Sequence, residues 1–207
     1  MPLEYEYNFH KFNKILIMKK LKEIGAVKKG VFLFKVQVFE LPNNKNGYLR
    51  VRDEGYRITM THKNTGPLNK FQFENETIID SFDEGINILL NLGCKKKYYY
   101  EKIREIWTFM NSEIVFDTMP GLPDIMEIES LTKKELNKVT KMMGLEIEPL
   151  QDKIISYAHL YNVDLTKVSN IKKFANIKKL LIPHVKKNKT LFERIVDKQM
   201  VLYKKIK

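Results

Sequence analysis

The sequence predicts an α+β protein in which about eight strands close into a barrel around a charged interior, with two helices inserted among the strands and a helical final third. Three observations predict it. Strands with one apolar and one charged face recur up to Ser130, those charged faces carry both signs, and from Thr132 onward the apolar spacing becomes helical.

The elements follow in order. In Leu3-Glu4-Tyr5-Glu6-Tyr7 the period of two sends Glu4 and Glu6 to one face. Phe12, Leu16, Ile17, Leu21 and Ile24 then recur at helical spacing, with Gly25 as a stop. Residues 31–41 are rich in valine and phenylalanine and read as a strand, Pro42 to Gly47 as a turn, and residues 48–53 and 56–63 as a hairpin around Glu54-Gly55. A loop over 64–69 and a strand over 71–79 come next. Ser81 and Glu84 make a capping box that opens a helix carrying Phe82, Ile86, Leu89 and Leu90 and ending at Gly93. Residues 98–108, 112–117 and 125–129 complete the strands. Thr132 and Glu135 form a second capping box, and helical spacing continues over 150–161, 171–181 and 191–203. The expected organisation is a domain over 1–145 with a helical extension, 146–207, packed on it.

The charged faces hold Glu4, Glu6, Glu74, Glu76, Asp117, Glu127 and Glu129 against Arg50, Arg52, Arg57, Lys63, Lys102 and Arg104. Any one such strand could simply present charge to water. As a set, flanked by amphipathic helices, they are better satisfied with the charge facing inward and the apolar faces lying outward under the helices. Unpaired charge in such a lumen costs several kcal/mol per group, so acids and bases must neutralise each other or a guest. A triphosphate with a divalent metal is a matching guest: carboxylates are hard ligands for Mg²⁺ or Mn²⁺, and arginine forks hold phosphate oxygens in pairs.

Composition agrees. Lys+Arg is 37 against 25 for Asp+Glu, a formal charge of +12, which favours anionic partners such as nucleotides, polyphosphate or RNA. Much of that lysine sits in pairs on helix faces, where it is solvated. A lone cysteine, Cys94, excludes an intrachain disulfide and a cysteine zinc cluster, so a reducing, cytoplasmic setting is expected. The apolar runs fall short of a membrane span, and no membrane partner is expected. His10, His62, His159 and His184 lack ligand spacing, and no glycine-rich phosphate loop is present.

The ordered set Glu4-x-Glu6, Tyr48-x-Arg50-x-Arg52, Thr59-x-Thr61-x-Lys63, Lys102-x-Arg104, Asp117 and Glu127-x-Glu129 resembles the CYTH superfamily of triphosphate tunnel metalloenzymes, over residues 1–145. The resemblance implies a closed tunnel of eight antiparallel strands that binds a triphosphate with one or two divalent cations, Mg²⁺ or Mn²⁺. It implies Glu4, Glu6, Asp117, Glu127 and Glu129 as metal ligands, and Arg50, Arg52, Arg57, Lys63, Lys102 and Arg104 as phosphate-binding groups. Glu74 and Glu76 would support the bases, and Glu4, Glu6, Lys63 and Arg104 would carry catalysis. One position departs: the family's first motif ends in lysine where this chain has Asn8, which can donate a hydrogen bond but brings no charge. The expected activity is metal-dependent hydrolysis of a triphosphate's terminal anhydride. Candidate substrates are tripolyphosphate, a nucleoside or thiamine triphosphate, and an RNA 5′ end. An adenylyl cyclase of the same superfamily and a non-catalytic triphosphate- or RNA-binding module are the alternatives. A homodimer would be formed by uncovered apolar strand faces.

Overall fold

The computed structural model describes residues 5–42, 47–65, 72–146 and 156–207. Glu4, most of the expected turn after Pro42, part of the expected loop over 64–69 and the start of the expected helix over 150–161 lie outside them.

The strands are β1 (Tyr5–Phe9), β2 (Val27–Glu40), β3 (Gly47–Asp53), β4 (Ile58–Thr65), β5 (Gln72–Ile79), β6 (Lys95–Phe109), β7 (Ser112–Thr118), β8 (Ile125–Ser130) and β9 (Ile171–Lys172). Their order is β1-β8-β7-β6-β2-β3-β4-β5, with every pair on this path antiparallel. The spine is the pairing of the two longest strands, β2 and β6, which carries register shifts at Lys28/Gly30 and Val38/Phe39. Such bulges add twist and bend the strands that carry them, and the sheet curls. It curls into an open half-barrel. Among the described residues β1 and β5 end the path without pairing to each other, so the closed eight-stranded barrel expected from the sequence is not what these strands form. Charge alternation sets which face turns inward; closure depends on whether two edges far apart in sequence meet, which alternation does not encode.

The outer face is covered by helices. α1 (Lys14–Glu23), capped by Asn13, and α3 (Lys133–Met142), capped by Thr132, lie on β1, β7 and β8 with Leu21, Trp107, Ile114, Phe116, Met126, Ile128 and Val139 buried between. α2 (Phe82–Asn91), capped by Ser81, packs Ile86 and Leu89 on Phe39, Val51 and Cys94, so the lone cysteine is a core residue. The inner face has an apolar floor along its middle: Phe34, Val36 and Val38 of β2 with Ile106 and Val115.

The C-terminal segment contains α4 (Tyr157–Tyr161), α5 (Ile177–Leu181) and α6 (Lys189–Ile206). The helix expected over 171–181 is shorter, because Ile171 and Lys172 form β9. They pair parallel with Tyr99 and Tyr100, a stretch of β6 that lies beyond the reach of β7 and has backbone groups to satisfy. Tyr203 of α6 stacks on Phe174 over Ile103, on the outer side of β6. Side chains of this segment also grip the β7–β8 connection. Gln199 accepts from Gly121 N at 2.7 Å and donates to the carbonyls of Met119 and Leu122, while the hydroxyls of Tyr157 and Tyr161 donate to those of Pro120 and Gly121. Among the described residues no helix is long and apolar enough to cross a membrane.

Candidate active site

Strand parity brings most of the charged residues singled out from the sequence onto the inner face, in two groups that meet over the apolar floor. The first lies on β6, β7 and β8. Asp117, 4% exposed, accepts from Lys102 Nζ at 2.6 Å and from Arg104 Nε and Nη2 at 2.7 and 2.5 Å; Arg104 Nη2 also donates to Glu127 at 2.8 Å. Burial would raise the Asp117 carboxyl, but the two cations outweigh it and hold it at about 2. Lys102 responds oppositely: burial pushes its ammonium down to about 8, against the pull of Asp117. Glu127 is raised, first by burial and then by the charge of Asp117, with Glu6 adding to the crowding.

The second group lies on β3, β4 and β5. Arg50 Nη2 donates to Glu74 at 3.1 Å, Lys63 pairs with the same carboxylate at 2.7 Å, and Arg52 Nη2 donates to Glu76 at 3.3 Å. Thr61, fully buried between them, donates to Glu76 at 2.9 Å. Burial, and then repulsion from Arg50, lower the Arg52 guanidinium. The two groups meet at the Phe34 ring, whose centroid lies 5.7 Å from Arg52, 5.5 Å from Lys102 and 5.7 Å from Arg104. An aromatic ring there offsets part of the mutual repulsion of three cations. Arg57 stands apart from this row, on the β3–β4 turn, bound to Glu54 and 3.8 Å from Glu76.

The carboxylates expected to hold metal are less gathered. Glu6 is exposed and accepts from Asn8 Nδ2 at 2.8 Å, and Glu129 stands in register between Glu6 of β1 and Glu113 of β7. Among the described residues no three acidic, histidine or cysteine side chains converge on one point. The donor set still fits Mg²⁺ or Mn²⁺ in kind. Glu6, Glu127 and Glu129 offer hard oxygens from adjoining strands, Mg²⁺ usually takes few carboxylates and completes its shell with water and phosphate, and the crowding on Glu127 is what a cation relieves. Asp117 differs from these, since Lys102 and Arg104 both bind its oxygens.

Sequence reasoning missed Glu54 and Glu113. The sequence marks Glu54 only as a turn residue, yet it continues the parity of Arg50 and Arg52; its side chain is nearly buried and binds Arg52 and Arg57. Glu113 shares parity with Asp117, and it lines a cavity of about 50 Å³ with Arg52, Glu54, Tyr56, Arg57 and Arg104. Of the histidines, His62 pairs in register with Leu49 and falls on the parity opposite to Lys63.

A family model, the CYTH domain, matches residues 4–145. The chain belongs to the CYTH domain family. Members of this family typically act on triphosphates and are in general metal-dependent. Solved structures agree on the fold of this CYTH domain. A Pyrococcus horikoshii protein, PH1012, is 24% identical, covers 75% of this chain and 97% of its own, and superposes with a TM-score of 0.60. An adenylate cyclase-like protein from Vibrio parahaemolyticus is 17% identical over 76% of this chain and 97% of its own, with a TM-score of 0.63. A Hippeastrum adenylyl cyclase-like protein, described as revealing a dominant triphosphatase activity, is 14% identical over 74% of this chain and 92% of its own, with a TM-score of 0.54. No curated protein matches the chain.

Proposed function

We propose that this CYTH domain is a divalent-metal-dependent triphosphatase that hydrolyses the terminal phosphoanhydride of a triphosphate laid along its inner face. The observation that carries the reading is the convergence of Arg52, Lys102 and Arg104 on the Phe34 ring, each held in place by carboxylate: Arg52 by Glu54 and Glu76, Lys102 by Asp117, and Arg104 by Asp117 and Glu127. Their side chains are 11–13% exposed, so a phosphate chain entering there trades little solvation for several charge-assisted hydrogen bonds. Arg50 and Lys63 continue the row toward β5, with Glu74 and Glu76 holding their geometry.

Glu6, Glu127 and Glu129, with Glu4 of the same motif, would hold Mg²⁺ or Mn²⁺, which supplies a polarised phosphoryl oxygen and an acidified water. Asp117 fits the role of anchor for Lys102 and Arg104 better than that of ligand, because both its oxygens already accept from them. Arg104 spans Asp117 and Glu127 and so ties the phosphate row to the carboxylate row. Arginine forks and the Lys102 ammonium hold the phosphate chain in line and offset the charge that develops on its oxygens. The dominant triphosphatase activity described for the Hippeastrum protein is carried over to this chain only as part of this proposal.

The test is phosphate release and cyclic-nucleotide formation from tripolyphosphate, ATP, thiamine triphosphate and a 5′-triphosphorylated RNA, with Mg²⁺, with Mn²⁺ and with excess chelator. Phosphate release that stops on chelation is expected. Cyclic AMP as the main product would replace hydrolase by cyclase. Tight binding without turnover would make the chain a binding module.

A further inference from the structure

The turn between β3 and β4 does more than reverse the chain. Tyr48, Arg50, Arg52 and Glu54 share one parity, so Glu54 is the last inward residue of that run, and it is only 1% exposed. Arg57 Nε donates to one of its oxygens at 2.8 Å, and Arg52 pairs with the other. Gly55, at φ +82°, gives the turn its left-handed residue, and its N–H donates to Asp53 at 2.9 Å. The turn thereby lays Tyr56 on Phe32, ring centroids 4.7 Å apart, across one end of the basic row. There Glu54, Tyr56, Arg57 and Glu113 line a small cavity against Arg52 and Arg104. Glu113 opposes Glu129 in register, so this is also the end at which Glu6 and Glu129 stand. The other end carries Tyr48 paired across to Lys63, together with the partly exposed Tyr98.

We propose that this turn is an end stop that makes the site specific for phosphate chains with a free terminal group. That group lies between Arg52 and Arg104, beside the carboxylates, and the esterified remainder of the substrate leaves toward Tyr48, Lys63 and Tyr98. A chain continuing past Arg52 meets the turn and the Glu54 and Glu113 carboxylates. The substrate class is therefore a linear triphosphate open at one end; a triphosphate esterified at both ends is excluded. This inference rests on the triphosphate reading above and adds polarity to it.

Calorimetric titration with tripolyphosphate, ATP and diadenosine triphosphate in Mg²⁺ tests it. The unmutated protein binds the first two, and diadenosine triphosphate at least about 100-fold more weakly, because bulk must pass the Tyr56 ring and phosphate charge is brought against the buried Glu54 carboxylate. In the double variant Glu54→Ala, Tyr56→Ala the discrimination falls below about tenfold. Diadenosine triphosphate binding the unmutated protein within about threefold of ATP overturns the end stop and leaves the triphosphate reading standing. So does undiminished discrimination in the folded double variant. Failure of all three ligands to bind overturns both. Should the double variant not fold, the comparison on the unmutated protein decides, with Glu54→Gln as the shape-preserving second variant, in which discrimination narrows as the wall loses its charge.

Discussion

Replacing Asp117 by asparagine separates an anchor from a metal ligand. The carboxylate is 4% exposed and accepts three hydrogen bonds from Lys102 and Arg104, all between 2.5 and 2.7 Å. Removing one partner of a buried ion pair costs about 3 to 5 kcal/mol, because the cations left behind stay desolvated. Arg104 keeps Glu127 at 2.8 Å, so the lower end of that range applies. For a chain of this size about 3 kcal/mol lowers Tm by roughly 6 to 12 °C. The loss should be present in excess chelator, since it belongs to the protein's own charges.

The same pair gives a pH signature. The Asp117 carboxyl is held at about 2 against an ordinary value of 3.8, so its contribution is fully present above that ordinary value and disappears as pH falls toward 2. That shift alone corresponds to about 2 to 3 kcal/mol. Thermal melts of both proteins in chelator, from neutral pH downward, are the assay. Because Asp117 also keeps Lys102 protonated, the gap should shrink as pH rises toward 8, be widest in mildly acidic solution, narrow below about pH 4 and close near pH 2. A variant that melts with the unmutated protein in chelator, and falls behind only when Mg²⁺ is added, would refute the anchor and return Asp117 to the metal.

Three further outcomes are expected. Arg52→Ala should weaken tripolyphosphate binding by roughly 10- to 100-fold, the value of a charge-assisted hydrogen bond in a dry site, whereas Lys95→Ala, on an exposed residue, should change it less than about twofold; equal small losses in calorimetry would mean the inner face is merely wet. Asn8→Lys puts a cation opposite Glu127 and beside Glu6, and should tighten triphosphate binding by about 1 to 3 kcal/mol; loss of binding with an unchanged circular dichroism spectrum would make Asn8 a specific adaptation to the natural ligand. Gln199→Leu strands the Gly121 N–H and the Leu122 carbonyl, while the Met119 carbonyl keeps the Leu122 N–H, and should cost about 1 to 3 kcal/mol for each group left unpaired, with faster hydrogen exchange at Gly121; unchanged exchange there would show that the tyrosines alone hold the loop.

How much of this was legible can be traced residue by residue. Alternation in a strand has only two outcomes, so Arg50 with Arg52 and Lys102 with Arg104 share a face on sequence alone, whereas the placing of Asp117 opposite Arg104 is a matter of register between strands. The capping residues Ser81 and Thr132 mark helix starts by the same local logic. Glu54 escaped because a turn signal at Glu54-Gly55 reads as punctuation, and nothing local tells that the strand's parity runs on into it. β9 escaped because two residues have no period; they are strand only because β6 outruns β7. Closure escaped because it belongs to the distant edges β1 and β5.

The strand that hid its orientation is the one that gives the site its strength. Val31, Phe32, Leu33 and Phe34 are apolar at successive positions, which identifies a strand covered on both sides but not which residue faces where. One parity, Val31 and Leu33, packs toward Phe174 and Tyr203; the other, Phe32 and Phe34, packs with Val36, Val38, Ile106 and Val115 under the charged groups. An apolar floor excludes water beneath the cations and lowers the local dielectric, so each ion pair above it counts for more than it would on a wet face. The depressed Lys102 is the visible cost of that arrangement, and its proximity to Asp117 is what keeps it charged near neutrality. A phosphate chain arriving on this face adds acceptor oxygens to three cations that their carboxylate partners hold around one phenylalanine. The catalytic reading therefore depends on Phe34 as much as on the arginines that alternation made visible.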